Sequence, residues 1–415
     1  MSHKVDTLRI YFPKVIEQPP VHILMISDVY FPRINGVSTS IQSFRSELIT
    51  LGHRVTLICP DYPESLTLER AKDQHDDEDI LRLPSRTVLL DPEDRMMSYG
   101  AIINLIPILR GRSIDLVHIH TPFVAHYAGV KLARRLAIPV VESYHTFFEE
   151  YLYNYIRWIP RNWLKRAARF FSKSQCNAVD ALVVPSSPMR NALQTYGVST
   201  EMHIIPTGLN LDAFRTPPTS NFRAKLSIRD DQPLLLYVGR VALEKNIDFL
   251  LNMMPFVLNQ TPDAVLVIAG EGPAESHLKR RVADMGLQAS VKFVGYMRRD
   301  GALQDAYRAA DLFVFASRTE TQGLVLLEAL ALGTPVVALG IMGTLDVLHA
   351  DGGCVIAPDD PSGFADAVNQ ALNQPDRYQQ LVDQAPRYAE TWTAAQKSQQ
   401  LLEMYRQQLA SHTTS

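Results

Sequence analysis

The chain has 415 residues, 46% of them hydrophobic, which suits two domains of about 200 residues better than one core. Forty-one Lys and Arg against 44 Asp and Glu leave a formal charge of −3, which argues against a general nucleic-acid binder, and there is no zinc-finger or aromatic-basic stacking pattern. Cys59, Cys176 and Cys354 are odd in number and far apart, so neither a disulfide framework nor a CxxC metal site is expected, and a reducing cytosol fits.

Residues 1–20 read as an irregular extension without the long apolar core of a signal peptide. Beyond them, strands and helices alternate, which implies an α/β fold built on parallel sheets. VHILMIS (21–27) is the first core strand, followed by a loop carrying Asn35-Gly36-Val37 and a helix over about Ser38–Leu51. Gly36 would let the backbone approach a phosphate at the helix start, although a plain turn explains a glycine equally well. RVTLICP (54–60), IDLVHIH (114–120), PVVESYH (139–145) and ALVVPS (181–186) continue the first half. The acidic run Asp76-Asp77-Glu78-Asp79 reads as a solvated loop before a short strand rather than a metal-binding Asp-x-Asp. His118 and His120 alternate on a strand, with His126 and His145 following; beside a cleft such histidines serve as hydrogen-bonding groups more often than as ligands, so no metal site is expected. In ESYHTFFEEY (142–151), Glu149 reads as an exposed carboxylate.

PRNWLKRAARFFSKSQ (160–175) is a basic amphipathic helix with Pro160 in its first turn. Arg161, Lys165, Arg166, Arg169 and Lys173 gather on one side, and Trp163, Leu164, Ala167, Phe170 and Phe171 on the other. That pattern reads as a surface-lying element drawn to anionic lipid; a core helix with a solvated basic face is the competing reading. HIIPTGLN (203–210) leads into a loop of Pro, Thr, Ser and Asn (216–221), the expected hinge. The expected division is therefore 21–215, then 216–390, then a terminal segment 391–415 with a helix from about Ala394 to Leu409.

The second half holds the chemistry. LLLYVGRVALEKN (234–246) is an apolar strand running into Gly239-Arg240 and Glu244-Lys245, which places Arg240 and Lys245 where open α/β sheets bind ligands, suited to a diphosphate and to the charge that grows as it leaves. AVLVIAGEGP (264–273) is another strand ending in a glycine turn. DLFVFAS (311–317) then leads through a polar loop to a helix from about Gly323 to Leu332. Glu320 precedes that helix and Glu328 lies over a turn inside it, so both could accept hydroxyl hydrogen bonds from a ligand whose phosphate sits on the helix end. A solvated Glu328 and a merely N-terminal Glu320 are the bland alternatives. The most apolar stretch, 324–343, is broken by Glu328 and Pro335, so no transmembrane helix is expected. Asp359-Asp360 reads as a turn or a helix cap.

GRVALEKN, GEGP, FVGY (293–296) and ETQGLVLLEALALGTPVVA, in this order and spacing, resemble the donor-binding half of the family-4 retaining glycosyltransferases, and the resemblance runs from about His22 to Tyr405. It implies the GT-B fold: two doubly wound Rossmann-like domains facing across a cleft, the first binding acceptor and the second donor, with the last helix crossing back to the first. Carried over by position, Arg240 and Lys245 would hold the donor diphosphate, Glu320 the sugar hydroxyls and Glu328 the ribose. The backbone at Gly323, Leu324 and Val325 would hold phosphate and sugar, with Gly36, Gly270 and Tyr296 completing the donor site. His145 would lie at the reaction centre beside the anomeric carbon, so the resemblance makes His145, Arg240, Lys245 and Glu320 the catalytic set. Family members often have Gly-Phe after the first Glu; here Thr321-Gln322 stands there, a variant that resembles the lipid-glycosylating branch.

The reading is thus transfer of a hexose, glucose from UDP-glucose, in α linkage to a membrane glycerolipid such as diacylglycerol, with no metal or other cofactor required. Its implied partners are a UDP- or GDP-hexose, a lipid acceptor and an anionic membrane surface contacted through Arg161, Trp163, Lys165, Arg166, Arg169 and Lys173. The expected location is cytoplasmic, peripheral on the inner face of the membrane. A GDP-mannose-dependent mannosyltransferase, a soluble-acceptor transferase, a nucleotide-sugar epimerase and a non-catalytic sensor remain as alternatives.

Overall fold

Runs of Val, Ile and Leu closed by glycine or polar loops form the strands of two large sheets. The computed structural model describes residues 19–63, 77–88, 91–145, 161–215 and 217–413. The extension up to residue 18, Asp76, Glu149 with the loop after His145, Pro160 and the side chain of Arg161 lie outside the described residues. The first half contributes β1 (His22–Ile26), β2 (Arg54–Pro60), β3 (Ile80–Leu83), an antiparallel hairpin of β4 (Ser85–Val88) and β5 (Asp91–Met97), then β6 (Leu116–Ile119), β7 (Val140–Ser143), β8 (Ala181–Val184) and β9 (Glu201–Ile204). The second contributes β10 (Leu234–Val238), β11 (Val265–Ala269), β12 (Val291–Gly295), β13 (Leu312–Phe315), β14 (Val336–Leu339) and β15 (Cys354–Ala357).

Strand order is β3-β2-β1-β6-β7-β8-β9 in one sheet and β12-β11-β10-β13-β14-β15 in the other. Neighbours in both pair in parallel, Ile23 beside Val55 and Leu116, and Leu235 beside Leu266 and Leu312. Helices cover both faces, so central strands are apolar throughout instead of alternating: Ile23 to Ile26 and Leu234 to Tyr237 have no solvent exposure. In each sheet the strand order reverses beside its first strand, between β1 and β6 and between β10 and β13. Loops leaving the carboxyl ends diverge there and leave a crevice.

The expected elements are present with shifted ends. The first helix starts two residues early, at Gly36–Thr50, because Asn35 caps it: its side chain accepts from the N–H groups of Val37 and Ser38, and the Ser38 hydroxyl accepts from the Asn35 N–H. Asp360 caps helix Pro361–Asn373 by accepting from the Gly363 N–H at 2.7 Å. The acidic run does more than face solvent. Asp77 pairs with the buried Arg45 at 2.7 Å, and Asp79 with Arg54 at 2.9 Å and Arg112 at 2.6 Å, so the two aspartates fasten β3 to its neighbours.

The chain passes between the halves well before the 216–221 loop. Ile205 belongs to the first core and Leu209 to the second, while Thr219 and Ser220 bond to Asp305 deep in the second half. The return passage runs beside the outward one: the Leu209 N–H donates to the Trp392 carbonyl and the Ala394 N–H to the Leu209 carbonyl, both at 2.8 Å. Helix Ala394–Thr413 then packs Leu401, Leu402, Met404 and Tyr405 into the first core, each burial stabilising by about 2 kcal/mol.

Gly208 sits where the two passages touch. A Cβ there would lie 2.4 Å from the Thr393 carbonyl oxygen and 2.6 Å from Ala394 Cα, both backbone atoms that cannot rotate away. Gly208→Ala should therefore force the passages apart and lower stability by about 2 kcal/mol, a typical cost of overpacking. Thermal unfolding checks this; an unchanged Tm would mean that the passages separate freely.

Candidate active site

The two crevices face each other and merge into one cleft of about 900 Å³. Every donor-site and reaction-centre residue anticipated from the sequence borders it. Gly36 and His145 come from the first half. From the second, Arg240 and Lys245 follow β10, Gly270 follows β11, Tyr296 follows β12, and Glu320 to Glu328 follow β13.

Helix Leu324–Ala331 points its amino end into this space, with Gly323 as N-cap at φ 90°, a left-handed conformation that glycine adopts without strain. Its side-chain-free cap leaves the first N–H groups and the positive end of the helix dipole open to an anion. On the opposite wall, a Cβ at Gly36 would meet nothing within 4 Å, so nothing in the protein itself requires glycine there. Gly270 differs: a Cβ would fall 1.9 Å from the Gly239 carbonyl oxygen, so glycine lets the β10 and β11 loops touch.

Carboxylates lie beside Arg240, Lys245 and Arg299 in the cleft. The Lys245 ammonium donates to Glu320 Oε1 at 2.5 Å, and Arg240 lies 3.8 Å from Glu244. Asn246, in the left-handed conformation, ends the 3-10 turn Leu243–Lys245 and anchors it by donating to the Ala316 carbonyl. Glu328 is almost fully buried; its Oε1 accepts from Arg299 at 2.7 Å and its Oε2 from the Tyr307 hydroxyl at 2.9 Å. Neither a solvated helix residue nor a free acceptor, Glu328 offers a ligand only the remaining lone pairs of its two oxygens.

His118 and His120 are buried and His145 is half-buried beside them, and all three are held neutral. His118 bonds to the Tyr405 hydroxyl and, at 2.8 Å, to the Ser143 hydroxyl; its ring lies 4.0 Å from that of His120, and His120 reaches His145 Nε2 at 3.3 Å. Burial pushes His118 down to about 3 and His145 down to about 4. At neutral pH, His145 therefore presents an uncharged imidazole that can hydrogen-bond a sugar but adds no cation. His126 pairs with the buried Glu142 at 2.9 Å. Among the described residues, no group of three or more His, Cys, Asp or Glu side chains is arranged to hold a metal ion.

Other site residues gave no signal in the sequence. Arg299 sits in the undistinguished MRRDG, and Tyr307 in the middle of a helix. Gln322 registered only as a departure from the family pattern, yet it is buried and borders the cleft.

The basic helix, Arg161–Cys176, presents a different face from the one expected. Leu164, Ala168, Ser172 and Gln175 point inward, whereas Trp163 and Phe170 stand 71% and 76% exposed. Arg166 and Lys173 are exposed with them, Lys165 is half-buried, and the Arg169 guanidinium lies 5.3 Å from the centre of the Tyr196 ring. Cations and aromatics thus share the outer surface, and Leu164, Ala168, Ser172 and Gln175 form the inner one. No described helix is long and apolar enough to cross a membrane.

Known proteins place this architecture. Residues 218–388 match the family described as Glycosyl transferases group 1, and residues 34–213 that described as Glycosyltransferase Family 4. An alpha-monoglucosyldiacylglycerol synthase of Streptococcus pneumoniae is 34% identical over 328 residues, covering 77% of this chain and 71% of the relative. A GDP-mannose-dependent alpha-mannosyltransferase of Mycobacterium tuberculosis is 28% identical over 361 residues, covering 86% and 90%. The solved sucrose-phosphate synthase of Thermosynechococcus elongatus superposes with a TM-score of 0.75 over 94% of this chain and all of that one; at 22% identity it shows the GT-B fold alone.

At the carboxyl end of β1, Asp28 accepts from the Thr121 hydroxyl and the Ala125 N–H, both at 2.9 Å, and burial pushes its carboxyl up to about 6. The native state then keeps a proton that the unfolded chain loses near pH 4, so Asp28 stabilises the fold below pH 4 and progressively loses that contribution as pH rises to 6. Asp28→Asn should gain on wild type by about 3 kcal/mol between pH 4 and 7. Urea titrations at both values check it; a stability difference that does not change with pH would contradict the shift.

Proposed function

The chain belongs to the family-4 GT-B glycosyltransferases, in the branch of the lipid glucosyltransferases, and on that footing we propose that it transfers glucose from UDP-glucose, with retention, to a hydroxyl of a membrane glycerolipid such as diacylglycerol. The observation that carries the reading is the convergence of one open helix end at Gly323, two cations at Arg240 and Lys245, and two carboxylates at Glu320 and Glu328 on one cleft. That set suits a nucleoside diphosphate sugar: phosphates on the helix end and cations, sugar hydroxyls on Glu320, ribose hydroxyls on Glu328. Similarity to the S. pneumoniae synthase supports the glycerolipid acceptor. The M. tuberculosis enzyme, matched over more of the chain, supports GDP-mannose as the second donor to test.

Glu320 is engaged by Lys245, and Glu328 by Arg299 and Tyr307, so neither is placed as a free nucleophile. In the proposed course the acceptor hydroxyl attacks from the face the diphosphate leaves, and the departing phosphate oxygen takes its proton. Arg240, Lys245 and the helix end then stabilise the charge growing on the diphosphate, a contribution that needs no metal ion. His145, being uncharged, hydrogen-bonds the sugar without adding positive charge at the oxocarbenium-like carbon.

The exposed Trp163 and Phe170 beside Arg166 and Lys173 support a peripheral position on anionic lipid at the cytoplasmic face of the membrane.

Purified protein with UDP-glucose, GDP-mannose and a lipid extract should yield a hexosyl glycerolipid by mass spectrometry, undiminished by EDTA. Sugar release without any lipid product would reject the acceptor. Lys245→Ala should lower turnover by about two to three orders of magnitude, by analogy with loss of an oxyanion donor; turnover close to wild type would remove the leaving-group role. In vesicle flotation, wild type should rise with anionic liposomes at low salt and less at high salt. Trp163→Ala, Arg166→Gln, Phe170→Ala and Lys173→Gln combined should abolish flotation while leaving UDP binding intact; unaltered flotation of the combined variant would leave the helix a purely structural element.

A further inference from the structure

The Gln322 side chain behaves like a length of backbone. Its Oε1 accepts from the Thr207 N–H at 2.8 Å, and its Nε2 donates to the Thr207 carbonyl at 2.7 Å. Thr207 lies on the passage between the domains, and both residues are buried. The Thr207 hydroxyl donates in turn to the buried Ser40 hydroxyl at 2.7 Å. Ser40 stands in the first turn and a half of helix Gly36–Thr50, whose start borders the cleft opposite Gly323.

A continuous buried polar chain, Ser40–Thr207–Gln322, therefore joins the two walls. One end is four residues from Gly36, and the other is the residue immediately before Gly323. Two more bonds run parallel to it. The Ser186 hydroxyl donates to the Thr321 carbonyl at 2.8 Å, and the Ser187 N–H to Asp346 at 2.6 Å. On the far side, the Gly343 N–H donates to the Glu320 carbonyl at 2.9 Å, and a Cβ at Gly343 would fall 2.0 Å from the Thr321 carbonyl oxygen. The 320–323 segment is thus gripped between its own domain and the other one.

We propose that Gln322 is a positioning residue: its carboxamide, paired with the Thr207 backbone, sets the span between the Gly36 and Gly323 helix ends, and so aligns the diphosphate-bound sugar with the wall that carries His145. The inference rests on the nucleotide-sugar reading of the cleft. Gln322 touches neither substrate nor reacting atoms in this role. Binding of the nucleoside diphosphate draws mainly on groups of the second domain, with Gly36 alone from the first, whereas transfer depends on both walls in register. A misplacement of about 1 Å can cost roughly a hundredfold in rate while the binding groups stay intact.

The test separates these quantities. Gln322→Met keeps length and burial but loses both bonds. It should hold UDP within about threefold of wild type by calorimetry, with kcat for glucosyl transfer lowered 10- to 100-fold, and UDP-glucose hydrolysis without acceptor lowered alongside. Gln322→Glu supplies a second reading. A protonated carboxyl can accept from the Thr207 N–H and donate to its carbonyl as the amide does, whereas an ionised one repels that carbonyl. Of the charged groups on the elements around this loop, Glu320 is paired with Lys245, Glu328 with Arg299, and Asp346 accepts from the Ser187 N–H. Activity of Gln322→Glu relative to wild type should therefore rise as pH falls from 8 to 6. Full kcat in Gln322→Met, parallel losses of kcat and UDP affinity, or a pH-independent deficit in Gln322→Glu would each overturn the positioning role. Should Gln322→Met fail to fold, the pH profile of Gln322→Glu decides. Wild type that binds neither UDP nor GDP would overturn the nucleotide reading, and the positioning role with it; wild type that hydrolyses UDP-glucose but glucosylates no lipid would overturn only the acceptor, and hydrolysis would still report on Gln322.

Discussion

Parallel pairing of strands is the constraint from which the rest of this molecule follows. When neighbours in a sheet run the same way, their carboxyl ends, and the amino ends of the helices that follow them, collect along one edge. Two such edges face each other here because the chain passes out at Gly208 and returns at Thr393, with backbone pressed against backbone. The cleft is what remains between them, and its chemistry is that of exposed N–H groups and loop side chains. No single strand or helix carries the site; deleting either sheet would remove one wall entirely.

Charge is rationed within that space. Arg240 and Lys245 each have a carboxylate in reach, so an anion arriving there would join an existing arrangement instead of meeting bare cations. Arg299 is fixed by Glu328, and Tyr307 by the same carboxylate from the other side. On the facing wall His118, bonded to Tyr405, and the half-buried His145 stay uncharged because loss of hydration disfavours their imidazolium forms. The imidazoles around His145 thus add no positive charge, while Arg240, Lys245 and Arg299 border the cleft from the second domain.

Much of this was legible in the sequence because the signals were local. Apolar runs ending in glycine gave the strands, and Asp359-Asp360 was readable as a turn or helix cap, whereas Asn35 was read as part of a loop and its cap starts the first helix two residues earlier than expected. Arg240, Lys245, Glu320 and Glu328 were visible as charges at strand ends. What escaped was long-range. The partners of Glu328 lie 21 and 29 residues away in sequence, and Gln322 meets Thr207 across 115 residues. The first passage was expected at a Pro- and Ser-rich loop, but Thr219 and Ser220 are held there by Asp305, and the change of domain falls earlier, at an unremarkable Gly208. The basic helix misled in a different way. The aromatics were grouped with Leu164 on one side, but only Leu164 of that set is fully buried; it points inward with Ala168, Ser172 and Gln175, while Trp163 and Phe170 stand exposed.

The last helix has a consequence for how the molecule is made. Leu401, Met404 and Tyr405 fill the core of the first domain, and the Tyr405 hydroxyl meets His118 some 287 residues upstream. During synthesis the first half leaves the ribosome with a gap in its interior, while the second half can complete its own core before residue 394 appears. The domain begun first is thus finished last. Until the final helix docks, the nascent chain exposes an apolar groove along the first domain, and it is in that interval that a chaperone would have most to protect.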